Sequence, residues 1–184
     1  MKFILTLDFL AAVSAITSTL MSGLRIRYTW IFSLLSSLIY ALIFGIKGLN
    51  FNLVVHLIYI PISLYGAYTW GLKKQKDKHI KTLKPFIFKL IIGLTLLCSI
   101  CIAYSSYNVL DIITSALSSM ALILLSNHFI ECWILWLICD VLYLLMYLQS
   151  DLFYSLYKSA FYIVFAGYSY YRWHRKLQLN KDCS

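Results

Sequence analysis

Asp140 lies deep inside an apolar run, one helical turn beyond Trp136 and two beyond Trp133, and Tyr143 and Tyr147 continue the same face. A carboxylate in hydrocarbon is expensive and persists where it meets a ligand, a partner or water. This one can accept hydrogen bonds from ribose hydroxyls, balance a cationic ring, or pair with His56. The indoles of Trp133 and Trp136 offer flat π surfaces for an aromatic or cationic heterocycle. A second stripe, Asn52, His56, Tyr59, Ser63, Gly66 and Trp70, has steps of four and three residues that keep it on one helical face. The same steps recur as Ser155, Ser159, Tyr162, Ala166, Ser169 and Trp173, and more weakly as Trp30, Ser33, Ser37, Tyr40 and Phe44.

Polar faces of this kind point inward, toward a cavity or a neighbouring helix. The serines and Gly66 fit best as small residues that let helices approach and hydrogen-bond. His56, Trp136 and Asp140 fit best as a binding site, and the full candidate set is Trp136, Asp140, His56, Trp133, Tyr59, Tyr162, Asn52 and Tyr143. Trp30, Trp70 and Trp173 lie near the ends of apolar runs and suit an interfacial belt, a role open to Trp133 as well. Asp8 and Asp111 occupy equivalent helix ends, where a cap or a gate are both possible roles, and Lys158 is placed to snorkel.

Enzyme signatures are lacking. The chain has no H-E-x-x-H, no G-x-S-x-G and no phosphate-cradling glycine loop, and its four histidines are not spaced as a metal site on any helix. Cys98 and Cys101 form a C-x-x-C inside an apolar run, where a thiolate is poorly solvated and buried free thiols are the ordinary reading. Neither metal nor cofactor is implied.

The elements that position these residues are membrane spans. The chain is 61% hydrophobic and 12% charged, too apolar for a soluble domain of 184 residues. Runs long enough to cross a bilayer fall at about 3–22, 28–46, 51–71, 86–105, 108–126, 131–149 and 152–172. Asp8 interrupts the first run and no convincing cleavage site follows, so it reads as a retained span.

At an offset of 103 residues the chain matches itself. Asp8 falls on Asp111, Trp30 on Trp133, Tyr40 on Tyr143, Tyr59 on Tyr162 and Trp70 on Trp173. From Trp30 to Trp70, roughly 12 of 41 positions are identical, where chance gives about 4. Spans one to three therefore repeat as spans five to seven, with span four as a linker. An even number of crossings separates the repeats, so they are expected to be parallel, related by an axis along the membrane normal as in SWEET-type transporters. The expected fold is all-α: seven transmembrane helices in a 3+1+3 arrangement. Repeat one covers 3–72, the linker loop and helix 73–105, repeat two 106–173, and a basic tail 174–184.

The net charge of +9 is clustered. Lys73, Lys74, Lys76, Lys78, Lys81 and Lys84 sit in one loop, and Arg172, Arg175, Lys176 and Lys181 follow the last span. With Arg25 and Arg27 they share one membrane face, leaving Lys2 and Lys47 on the other. This is the positive-inside bias and not a nucleic-acid patch; it puts the N-terminus outside and the C-terminus in the cytoplasm.

The segment Leu49–Trp70, ending Y-G-A-Y-T-W, the segment E-C-W-I-L-W-L-I-C-D from Glu131 to Asp140, and the closing run from Asp151 to Trp173 resemble the PnuC family across essentially the whole chain. The resemblance implies a bacterial inner-membrane importer of nicotinamide riboside, with relatives for thiamine and other vitamins or nucleosides. It implies facilitated diffusion trapped by cytoplasmic phosphorylation, and a trimer of SWEET-like subunits. Trp136 and Asp140 fall on the family's binding positions in span six. His56 stands where the family often has glutamine, and Cys132 where asparagine often precedes the first tryptophan. Read from the residues alone, the site lacks the arginines that hold a phosphate, so a dephosphorylated cargo is expected. A membrane scaffold whose stripes are only helix–helix contacts is the competing class, with an intramembrane enzyme third.

Overall fold

The computed structural model describes residues 2–48, 50–71, 80–85, 88, 93, 109–148 and 153–182. Span four apart from residues 88 and 93, the Cys98/Cys101 pair and the lysine-rich loop from 72 to 79 lie outside the described residues. The described part is all-helical, with six long helices: α1 (Lys2–Gly23), α2 (Thr29–Ile46), α3 (Asn50–Gly71), α4 (Val109–Ser126), α5 (Cys132–Leu148) and α6 (Phe153–Asp182). The bounds of the first five follow the apolar runs closely. Four carry windows long and apolar enough to cross a membrane, Thr6–Gly23, Thr29–Ile46, Asn52–Gly71 and Val109–Ser126, and α5 holds a shorter apolar stretch, Cys132–Leu145.

The chain divides into two compact units, residues 1–78 and 79–184. In the first, α2 packs against both α1 and α3; in the second, α5 packs against both α4 and α6. Short turns make neighbouring helices antiparallel, and small polar residues fix their register. Ser18 and Thr29 exchange hydrogen bonds between hydroxyls and main-chain carbonyls, with Thr29 Oγ1 donating to Ser18 O at 2.7 Å. Ser33 and Ser63 join α2 to α3 at 2.8 Å. The hydroxyl of Ser36 donates to Ala11 O at 3.1 Å, and its repeat-mate, the Cys139 thiol, points at Thr114 O at 3.8 Å. Such small-residue contacts are how apolar helices associate without a hydrophobic drive between them.

The internal repeat is visible bond by bond in the turns. Arg25 and His128, 103 residues apart, are the two non-glycine residues of positive φ among the described ones, at 62° and 65°. Around them the main chain makes the same hydrogen bonds. Ile26 N donates to Met21 O at 2.8 Å and Phe129 N to Leu124 O at 3.0 Å; Arg25 N donates to Ser22 O at 3.0 Å and His128 N to Leu125 O at 3.1 Å. Each is a helix ending in a left-handed residue that satisfies terminal carbonyls, a role usually left to glycine.

α6 runs past the end of the apolar stretch, through His174 to Asp182, so much of the expected basic tail is helix. His174 stacks on Tyr170, at 6.0 Å and 15°, and meets Gln178 Nε2 at 3.0 Å one turn later. The following Arg-Lys-Leu-Gln-Leu are good helix formers.

Candidate functional site

The residues singled out from the sequence fall into two groups, one in each unit. In the first unit His56, on α3, is ringed by aromatics. Its imidazole lies 5.1 Å from the Tyr40 ring, 5.4 Å from Phe44 and 5.3 Å from Tyr59. Tyr40 and Phe44 lie one turn apart on α2 and stack at 5.8 Å. The side chain is half-buried, and its Nδ1 is buried with no hydrogen-bond partner among the described residues. A buried ring nitrogen of this kind is costly unless a ligand or water meets it. Asn52, one turn before His56, is exposed.

In the second unit Asp140 is buried, while Trp136, Tyr143 and Tyr162 are half-buried. The 103-residue offset places Asp140 where the first unit has Ser37, Trp136 where it has Ser33, and Ser159 where it has His56. Ser37 donates back to Ser33 O within α2 and Ser33 bonds Ser63 on α3, so both hydroxyls in the first unit are taken up by local and helix–helix hydrogen bonds. The two units thus share a scaffold but differ where chemistry is carried. One supplies an imidazole among aromatic rings, the other a carboxylate and an accessible indole. Tyr40 with Tyr143 and Tyr59 with Tyr162 are common to both.

Trp133 behaves differently from Trp136. It is 2% exposed, edge-on to Trp173 at 5.7 Å and near Phe165 at 6.3 Å. Its repeat-mate Trp30 is equally buried and meets Trp70 edge-on at 5.6 Å. Neither indole Nε1 has a hydrogen-bond partner among the described residues. These tryptophans lock each helix pair from within, and Trp70 and Trp173, expected at an interfacial belt, are buried in the same joints. The serines and Gly66 act as expected: Ser63 is buried, and a Cβ on Gly66 would collide with the Trp30 ring. The side chains of Tyr147, Ser155 and Lys158 lie outside the described ones. Tyr40 and Phe44 were legible as a stripe but not as partners of His56, because that pairing depends on how α2 meets α3.

Long apolar helices, hydroxyl-bonded to one another and built twice over, with titratable and aromatic side chains on their inner faces, define the class as a polytopic helical membrane protein. The profile of the nicotinamide mononucleotide transporter family matches residues 5–175. The chain therefore belongs to that family, the PnuC family, whose members are transporters and not enzymes. A crystal structure of the vitamin B3 transporter PnuC has the same fold, with a TM-score of 0.74 and 20% sequence identity, over 94% of this chain and 82% of that one. No curated protein matches.

Proposed function

We propose that this protein imports nicotinamide riboside across the bacterial inner membrane by facilitated diffusion, and that phosphorylation in the cytoplasm traps the cargo. The observation that carries this reading is the buried Asp140 one turn from the half-buried Trp136, in a member of a transporter family. A carboxylate and an indole face together suit a cationic ring bearing hydroxyls. The family profile is described for the mononucleotide. Yet no arginine lies within 29–46, 50–71, 109–126 or 132–148, so nothing in these helices supplies the bidentate donors a phosphate prefers. The dephosphorylated nucleoside fits better.

In this reading Trp136 and Asp140 of the second unit hold the pyridinium and ribose, with Tyr143, Tyr162 and Trp133 as further candidates there. His56, Tyr59 and Asn52 are the candidates of the first unit. The architecture is seven helices, two parallel three-helix repeats around a linker, with the N-terminus outside, a cytoplasmic C-terminus and three subunits per assembly. The charge distribution supports that orientation: Arg25 and Arg27 lie in the α1–α2 turn, and Lys81 bridges Phe129 in the repeat-mate turn between α4 and α5.

A second cargo is favoured by one feature. His56 replaces the amide expected at its position, and an imidazole in an aromatic ring cluster suits the aminopyrimidine and thiazolium of thiamine. A thermal-shift panel of nicotinamide riboside, nicotinamide mononucleotide, thiamine, riboflavin and nucleosides on purified protein ranks the candidates, since a ligand that prefers the folded state stabilises it. Nicotinamide riboside giving the largest shift supports the reading. A shift from the mononucleotide equal to that from the riboside contradicts it.

A further inference from the structure

Residues 80–84 cross the turn between α4 and α5 as a short strap. Lys81 N donates to His128 O at 2.9 Å and Ile130 N donates to Lys81 O at 3.1 Å, a parallel bridge between Lys81 and Phe129. Ile80 is buried beside it, and Lys81 Nζ lies 6.0 Å above the Phe129 ring. The third tie is a side chain. Glu131 Oε1 accepts from Leu83 N at 2.8 Å, across 48 residues of sequence.

Glu131 also opens α5. Its main-chain carbonyl accepts from Ile134 N at 3.1 Å and Leu135 N at 3.2 Å, the first bonds of the helix that carries Trp136 and Asp140. The other carboxylate oxygen, Oε2, is buried without a partner among the described residues. Burial raises the Glu131 carboxyl above its ordinary range, while N–H donors from its own residue and Leu83 pull the other way. The first unit offers the contrast. Tyr28 stands at the equivalent position, exposed, its hydroxyl accepting from Arg27 at 3.1 Å.

We propose that Glu131 is a positioning residue for transport: it pins the 80–84 strap to the turn and thereby fixes where α5 begins, holding Trp136 and Asp140 in place for the cargo. This rests on the reading that α5 carries the cargo contacts. The needed property is an acceptor at Oε1, because that oxygen makes the tie to Leu83 N. An amide keeps the bond and sheds the desolvation cost of the carboxylate.

The test compares the full-length wild type, Glu131→Ala and Glu131→Gln, each reconstituted in lipid. Amide hydrogen exchange at Leu83 and over the first turn of α5 should quicken by about tenfold in Glu131→Ala and stay within about twofold in Glu131→Gln, as expected for opening of a locally pinned segment. Uptake of nicotinamide riboside should show KM raised by about three- to tenfold in Glu131→Ala at little-changed Vmax, with Glu131→Gln near wild type. Unchanged exchange in Glu131→Ala overturns the proposal, as does a Glu131→Gln variant as damaged as Glu131→Ala. If the wild type does not move nicotinamide riboside, the cargo assignment fails, and the exchange comparison alone decides the role of Glu131.

Discussion

Trp133 meets Trp173 edge to face, with ring centroids 5.7 Å apart and planes at 79°. Trp30 meets Trp70 in the same way, at 5.6 Å and 80°. Two separately packed units arrive at one geometry because the same residues recur at the same spacing on equivalent helices. The joint lies inside each unit, where large aromatic side chains dominate the packing.

Truncating either buried tryptophan should therefore cost stability. Trp30→Ala and Trp133→Ala are expected to lose about 3–5 kcal/mol each, read as a lowered thermal midpoint in detergent. Trp136→Ala, on a half-buried side chain, should keep a midpoint near wild type while uptake falls. Equal midpoints for Trp133→Ala and Trp136→Ala would contradict this division of roles.

Gly66 and Gly167 form a matched control. A Cβ at Gly66 runs into the Trp30 ring, whereas a Cβ at Gly167 meets nothing within 4 Å. Gly66→Ala should destabilise by about 1–3 kcal/mol through overpacking. Gly167→Ala should be neutral or slightly stabilising, since alanine suits a helix interior better. Thermal unfolding of the two variants side by side checks both.

The left-handed turn residues carry a further expectation. Arg25, at φ 62°, occupies a conformation that β-branched residues resist. Arg25→Val should cost on the order of 1–2 kcal/mol, and Arg25→Gly should relieve backbone strain. A thermal midpoint for Arg25→Val at or above that of Arg25→Gly would argue against the strain.

His56 is the residue expected to tune cargo choice. With Tyr40, Phe44 and Tyr59 around it, glutamine at this position would present both a donor and an acceptor on a flexible arm. His56→Gln should raise the affinity for nicotinamide riboside relative to thiamine by about tenfold, roughly 1.4 kcal/mol. Competition binding measures the ratio; an unchanged ratio would remove His56 from the specificity determinants.

Much of this was legible in the sequence because membrane helices are long apolar runs and the repeat is ungapped. α2, expected over 28–46, is Thr29–Ile46, and α4, expected over 108–126, is Val109–Ser126. The hydropathy signal ends near Trp173 while the helix continues to Asp182. Hydropathy reports the solvent, whereas the main-chain bonds continue wherever side chains permit. The Glu131–Leu83 tie was not legible, since a hydrogen bond spanning 48 residues leaves no periodic trace. Trp133 and Trp136 share a face by spacing, yet only packing against Trp173 and Phe165 separates the buried one from the accessible one.

The most direct test is nicotinamide riboside uptake by Asp140→Ala reconstituted in liposomes, with oligomeric state and thermal midpoint measured on the same preparation. Asp140→Ala should insert, assemble and melt like the wild type but take up less than about a tenth as much, a loss of about 1.4 kcal/mol or more in transition-state terms. Wild-type uptake by Asp140→Ala, or a loss traceable wholly to failed assembly, would contradict it.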